Sequence, residues 1–249
     1  MTRHRYTGVL TVIEFNWPKY LAALAALMTL MAALETHLTT AALLLSAMAA
    51  TVWLMMASVL ASHWIYDRSD LYRLGWLANV RPAKVERWVT LNAGFDETAL
   101  GLARRLPGRG EMIDFHDSEL MSEDSIARAQ THSKPAPGLP GRSAQPLHLG
   151  MEVGAYDLVL VILAAHELRS HHARTAFFHQ LRTALRPSGR VIVVEHLRNP
   201  ANLIVYGPGA LHFHTRRTWM GAFAASGLEV GDRLRVTPFV TVFSLEAAC

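Results

Sequence analysis

The chain has 249 residues (27.6 kDa), 51% of them hydrophobic and 18% charged, which excludes a disordered or fibrous polymer and leaves room for one or two domains with a sizeable core. Its single cysteine is Cys249, so neither an intrachain disulfide nor a cysteine zinc cage is possible. Lys+Arg 24 against Asp+Glu 20 leaves a net +4 and a pI near 9.5, a mild excess that suits the cytoplasmic face of a membrane and makes no case for nucleic acid as a partner.

Two apolar runs open the chain, Tyr20–Leu34 and Thr39–Ala61, separated by Glu35-Thr36-His37-Leu38. The second is long enough to cross a ~30 Å hydrocarbon core as a helix, and the first reaches the ~17-residue lower limit with its flanks. Pro18 reads as a first-turn proline, and Trp17, Tyr20, Trp64 and Tyr66 as interfacial aromatics. Arg3, Arg5 and Lys19 precede the hairpin and Arg68, Arg73, Arg81 and Lys84 follow it, so the positive-inside rule puts both ends, and the domain beyond, on the cytoplasmic side of an inner or other membrane. A cleaved signal peptide fits poorly, because a longer apolar run follows the first. A buried soluble hairpin is the other reading of the same pattern. The alanines at 22, 23, 25, 26, 47, 49 and 50 allow close helix approach, or association with a second copy. The expected division is a transmembrane hairpin over 1–66, a juxtamembrane linker over 67–84 carrying Tyr72, Arg73 and Trp76 as interface candidates, and a domain over 85–249.

From Arg87 the pattern alternates. Arg87–Leu91 reads as a strand, Asn92-Ala93-Gly94 as a turn, and Asp96–Leu106 as a helix stopped by Pro107-Gly108. Glu111–Phe115 is a second strand, followed by a helix carrying Ile126 and Ala129. Thr131–Gly150, with four of the eleven prolines, reads as a loop. Tyr156–Leu163 is a near-continuous apolar strand of the kind covered on both faces. Ala173–Leu185 is an amphipathic helix, Arg186–Gly189 a turn, Arg190–Glu195 another central strand and Thr215–Ser226 a helix stopped by Gly227. Leu234–Leu245 gives two last strands around Thr237-Pro238. This alternation predicts an α/β fold, an open and mostly parallel sheet with helices on both faces. Ligands of such sheets sit at the carboxyl ends of the strands, here Asn92–Glu97, Asp114–Asp117, Ala164–Glu167 and Glu195–Leu197.

Those strand ends carry a resemblance. Ala184–His196 (ALRPSGRVIVVEH) most strongly, and Tyr156–Val161 (YDLVLV), Ala164–Leu168 (AAHEL), Ala224–Val230 (AASGLEV) and Asp114–Ser118 (DFHDS) besides, resemble segments of class I S-adenosylmethionine-dependent methyltransferases. The similarity spans Val85–Leu245. It implies a Rossmann-like seven-stranded sheet, S-adenosyl-L-methionine as cofactor, and a ribose-binding carboxylate at Asp114 beside Phe115. The first loop departs from the family's acidic residue and G-x-G-x-G. Thr90 stands in the acidic place and only Gly94 of the three glycines is present, with Asn92 a partial substitute and Phe95 narrowing the loop. Asn92, Ala93, Gly94, Asp96, Glu97 and Ala164 complete the expected cofactor set, although Asp96 and Glu97 equally suit a helix N-terminus.

For acceptor chemistry, His166 is the expected base with Glu167 orienting it, or else a histidine bonded to loop backbone. Glu195-His196 is the second choice, with Glu195 otherwise neutralising Arg198. Tyr206, in the apolar segment Asn202–Leu211, is an acceptor-holding residue or a core aromatic with a wet hydroxyl. The pairs His171-His172 and His212/His214, with His179, lack a completing carboxylate in sequence, and no metal is expected. The sequence thus predicts a membrane-anchored methyltransferase for a hydrophobic or lipid-soluble acceptor, with an inactive membrane-tethered scaffold as the alternative. A third reading makes the hairpin itself a functional oligomeric core.

Overall fold

The computed structural model describes residues 5–36, 40–121, 128–130 and 138–248. Arg3, the hairpin tip His37–Thr39, the helix position Ile126, residues 131–137 of the proline-rich segment and Cys249 lie outside the described residues.

Helix α1 spans Thr7–Thr36, beginning well before the apolar run, so Pro18 sits inside the helix and not in its first turn. The cap comes from a distant segment: the carboxylate of Asp67 accepts from the backbone N–H groups of Gly8 (2.6 Å) and Val9 (3.0 Å). Helix α2 (Ala41–Ser62) runs into a π-type turn at His63–Arg68, which carries Asp67 and Tyr66. Tyr20 Oη and Ser58 Oγ meet across the hairpin at 3.3 Å. Both helices are long and apolar enough to cross a membrane, and little of either is buried: none of the most apolar window of α1 and 6% of that of α2. Leu24, Met28, Leu43, Trp53, Met56 and Leu60 all face outward.

The remaining elements are β1 (Arg87–Asn92), α3 (Ala99–Arg105), β2 (Arg109–Asp114), β3 (Gly141–Ser143), β4 (Tyr156–Ile162), α4 (His171–Ala184), β5 (Leu185–His196), α5 (Pro200–Tyr206), α6 (Arg216–Ala225), β6 (Leu228–Thr237) and β7 (Val240–Ala247). They build a seven-stranded sheet of order β3-β2-β1-β4-β5-β7-β6, parallel except for β7. The order reverses between β1 and β4. β3 lies within the segment read as loop; its three residues are exposed and carry no apolar alternation to announce a strand. The turn expected at Arg186–Gly189 is a bulge inside β5, with Ser188 in the left-handed region (φ 66°). α3 starts three residues late, because Asp96 turns the chain ahead of it.

Side chains of β4 and β5 alternate between two cores, the pleat sending neighbours to opposite faces. Val159, Val161, Val191 and Val193 join Phe177, Phe178, Trp219 and Phe223 of α4 and α6. Leu158, Leu160, Ile192 and Val194 join Leu71, Leu74, Trp76, Leu77 and Val80. The segment after the hairpin is therefore no free linker but the layer covering the second sheet face. Trp76 is buried with its indole N–H donating to Leu71 O (3.0 Å), which removes it as an interface aromatic. The hairpin docks on the sheet domain as well: Trp53 donates to Ile204 O on α5, and Gly207 (φ 51°) lets that corner approach Leu54, where a Cβ would come within 2.9 Å.

Candidate active site

At the switch point, the amide of Gly94 (φ 90°) donates both to Asn92 Oδ1 (3.1 Å) and to Asp114 Oδ1 (2.8 Å), which also accepts from His116 N. These bonds tie the β1 loop to the end of β2. Asp114 Oδ2 makes no hydrogen bond among the described residues. Asp96 takes the capping role: its two oxygens accept from Thr98 N, Thr98 Oγ1 and Ala99 N at the start of α3. Phe115 is fully buried with its ring on Phe177 at 4.8 Å, so its side chain belongs to the core. Ala164 is buried beneath the turn that follows β4.

Leu163, in the left-handed region (φ 52°) and held by Val194 O, turns the chain out of β4. That strained residue directs the short helical turn Ala165–Glu167 over the end of β5. Glu195, fully buried, accepts there from His166 N (3.1 Å) and His166 Nδ1 (2.8 Å). The orienting partner of His166 is thus Glu195, while Arg198 donates instead to the carbonyls of Phe213 and Leu211. Glu167 Oε1 faces His166 Nε2 at 3.2 Å and His212 Nε2 at 3.7 Å. Glu167 Oε2 is buried with no partner. Burial alone would lower the His166 pKa, but the two carboxylates outweigh it and raise it to about 10. The imidazole therefore holds its proton at neutral pH and is no free base. Glu167, despite its burial, is held well below the usual carboxylate range by His166.

His196 is engaged at both nitrogens: Nδ1–H donates to Phe239 O (3.1 Å), and Nε2 accepts from the Tyr66 hydroxyl (2.9 Å). Burial, and then the neighbouring His166, lowers its pKa to about 3. It is a neutral clamp between the hairpin and the sheet, without a lone pair for catalysis. The Tyr206 hydroxyl and Ser62 Oγ are buried and face each other, with no close hydrogen bond to any other described group. Burial pushes the Tyr206 phenol up to about 12.

Two cavities meet at this cluster. One, about 230 Å³, lies between the β1 loop (Ala93, Phe95, Glu97) and the first turns of α1 (Gly8, Thr11, Phe15). Phe15 meets Phe95 edge-on at 5.2 Å. The other, about 710 Å³, runs between α1 and α2, past Ala23, Thr51, Leu54 and Met55, to Ser62, Tyr206 and His212. Val12, Asn16, Tyr66, His166, Glu167 and Phe213 line both. Sequence reasoning missed the contributions of Val12, Asn16, Tyr66 and Ser62, because they flank the apolar runs and only the docking of the hairpin on the sheet domain brings them to the site.

No protein-family model matches the chain, and no curated protein matches it. Solved structures do. The chain is similar to the mitomycin 7-O-methyltransferase MmcR (14% identity, TM-score 0.57, 99% of this chain and 74% of that one), so the likeness extends through the hairpin. It is similar to the geranyl diphosphate C-methyltransferase of Streptomyces coelicolor A3(2), solved with Mg2+, geranyl diphosphate and S-adenosyl-L-homocysteine (14%, TM-score 0.51, 71% and 78%). The fold is that of S-adenosylmethionine-dependent methyltransferases. At these identities the likeness is one of architecture, and the [4+2]-cyclase SpnF shares it too (14%, TM-score 0.54, 74% and 83%).

Proposed function

We propose that the protein is a membrane-anchored methyltransferase that takes S-adenosyl-L-methionine at the β1–β2 loops and methylates a lipid-soluble acceptor drawn from the bilayer, with the sheet domain on the cytoplasmic side. The observation that carries this reading is the 710 Å³ cavity, which starts between two outward-apolar helices and ends at buried polar atoms, the facing Ser62 and Tyr206 hydroxyls and the unpartnered Glu167 Oε2. A buried polar group without a partner costs roughly 1–3 kcal/mol, so the unpartnered Glu167 Oε2 beside these hydroxyls fits an acceptor with a polar head. Its apolar tail lies along Ala23, Leu54 and Met55. Exposed Leu203, Ile204 and Leu211, close to α2, extend the apolar surface toward the bilayer. The alanines of the two helices that face outward leave room for pairing with a second copy.

The residues at the switch point fit the cofactor. Asp114 Oδ2 is available to ribose hydroxyls, Glu97 lines the cavity beside the loop, and Gly94 adopts the positive φ that a close backbone approach needs. The cofactor supplies an electrophilic methyl and its own leaving group. The chain's residues orient and enclose: Glu167 Oε2 accepts a hydrogen bond from the acceptor's hydroxyl, the Glu195–His166 pair fixes Glu167, and α1 closes the cavity against water. Calorimetry tests the reading. Asp114→Ala weakens S-adenosyl-L-homocysteine binding at least tenfold, and with the intact protein labelled methyl from S-adenosyl-L-methionine enters a membrane lipid extract. Unchanged affinity, or no labelled lipid, refutes it.

A tight loop favours a second reading, a tethered binding module without transfer. Gln130 Cγ lies 2.8 Å from where a Cβ on Gly94 would be, and Phe95 narrows the same opening. Absence of any cofactor binding by the wild type selects this reading.

A further inference from the structure

We propose that His166, Glu167 and His212 form a three-ligand site for a divalent transition metal, with zinc the best match, whose open position faces the acceptor cavity. The inference goes beyond methyl transfer and does not depend on it.

Three observations carry it. One nitrogen each from His166 and His212 and an oxygen of Glu167 lie within 4.8 Å of one another. Ligands bonded at ~2.0–2.1 Å around tetrahedral zinc stand ~3.4 Å apart. Here Glu167 Oε1 is 3.2 Å from His166 Nε2 and 3.7 Å from His212 Nε2, so only the two imidazoles have to close in. Second, the outer shell is in place. The buried carboxylate of Glu195 takes His166 Nδ1–H at 2.8 Å, which fixes the tautomer and leaves Nε2 as the ligand atom, the carboxylate–histidine–metal arrangement. Arg169 Nη1 donates to the backbone carbonyls of both His166 and His212, bracing two ligands that lie 46 positions apart in the chain (212 − 166). Third, Glu167 Oε2 is buried and partnerless. The carboxylates of Glu167 and Glu195 are both buried beside these imidazoles, and a dication held by neutral imidazoles cancels their two charges.

Two histidine nitrogens and one carboxylate with an open fourth position are a catalytic rather than a structural donor set. All three residues line the larger cavity, so a hydroxyl or phenol entering it meets the open position, where coordination lowers the pKa of the ligated oxygen. That gives the cavity an activating group.

The test uses the full-length protein in detergent, stripped of metal and without cofactor or acceptor. Cobalt(II) titration is expected to give one equivalent bound per chain with intense visible ligand-field bands of low-symmetry coordination, and zinc is expected to displace it. His212→Gln and Glu167→Gln each lower the affinity at least tenfold, while the exposed-histidine control His179→Gln binds like the wild type. Melting of the metal-free variants near the wild-type temperature shows that they fold; if either does not, His212→Asp, which keeps a ligand oxygen, is expected to restore binding. Absence of a stoichiometric site, or wild-type binding by both ligand variants, overturns the proposal. A protein that transfers methyl groups but binds no cobalt sinks the metal site alone, and one that binds cobalt but no cofactor sinks the transferase reading alone.

Discussion

The neutral clamp at His196 makes a quantitative demand on acid stability. Its folded-state pKa of about 3 lies below the ordinary ~6.5 of an unfolded chain, so the stability it contributes is present above pH 6.5 and is lost as the pH falls toward 3. Between pH 8 and pH 5 the loss from this one group is about 2 kcal/mol, since the unfolded state gains ~1.5 pK units of proton affinity that the folded state lacks. His196→Gln removes the titration. It keeps a donor and an acceptor of similar reach for Phe239 O and Tyr66 Oη, and imperfect replacement costs ~1–3 kcal/mol at pH 8. The variant is therefore less stable than the wild type at pH 8, and the gap narrows by about 2 kcal/mol at pH 5. For a chain of this size that is roughly 4–8 °C of relative melting temperature. Thermal melts of both proteins in one detergent across pH 5–8 read it directly. Because the twelve other histidines are common to both proteins, only the difference matters. A gap that stays constant with pH means that His196 is not buried and neutral.

Other perturbations separate the roles argued above. Asp67→Ala strips the cap from α1, at ~1–3 kcal/mol, and hydrogen exchange at the Gly8 and Val9 amides is expected to accelerate; unchanged protection places the cap elsewhere. Ser188→Gly relieves a left-handed backbone at an exposed position and raises the melting temperature by ~1–4 °C, and a fall in that temperature refutes the strain argument. Ala23→Trp fills the cavity between α1 and α2: methyl transfer to a long-chain acceptor is expected to drop at least tenfold with cofactor affinity unchanged, and equal loss of both contradicts separate subsites.

The sheet was legible where its strands are buried on both faces, because Leu158–Ile162 and Val191–Val194 are apolar without interruption. β3 left no such trace, and neither did the cap of α1, whose carboxylate lies about sixty positions away. The carboxyl ends of β4 and β5 put His166, Glu167, Glu195 and His196 in one neighbourhood before any coordinates. Their division of labour was not legible, since it depends on which way each side chain points from adjacent parallel strands. Glu195 turned out to orient His166, and His196 to face Tyr66 of the hairpin. His212 was visible only as half of an unremarkable histidine pair, because the Glu167 that completes its set is contributed by a different loop.

A tether needs only apolar length, yet this hairpin supplies walls. Val12 and Asn16 of α1 and Tyr66 of the turn after α2 line both cavities, Phe15 covers Phe95, and Arg128 binds Phe15 O beside the β1 loop. The same helix that would enter the bilayer beyond Lys19 therefore roofs the proposed cofactor site with its first three turns. On the proposed reading, an acceptor sliding between α1 and α2 would reach the His166 cluster without crossing water, and the helices that admit it would also keep the reacting centre dry. In this arrangement membrane insertion and catalysis share one structural element. Loosening the packing of α1 on the sheet must then lower transfer to soluble and lipid acceptors alike, whereas a mere anchor would spare the soluble ones.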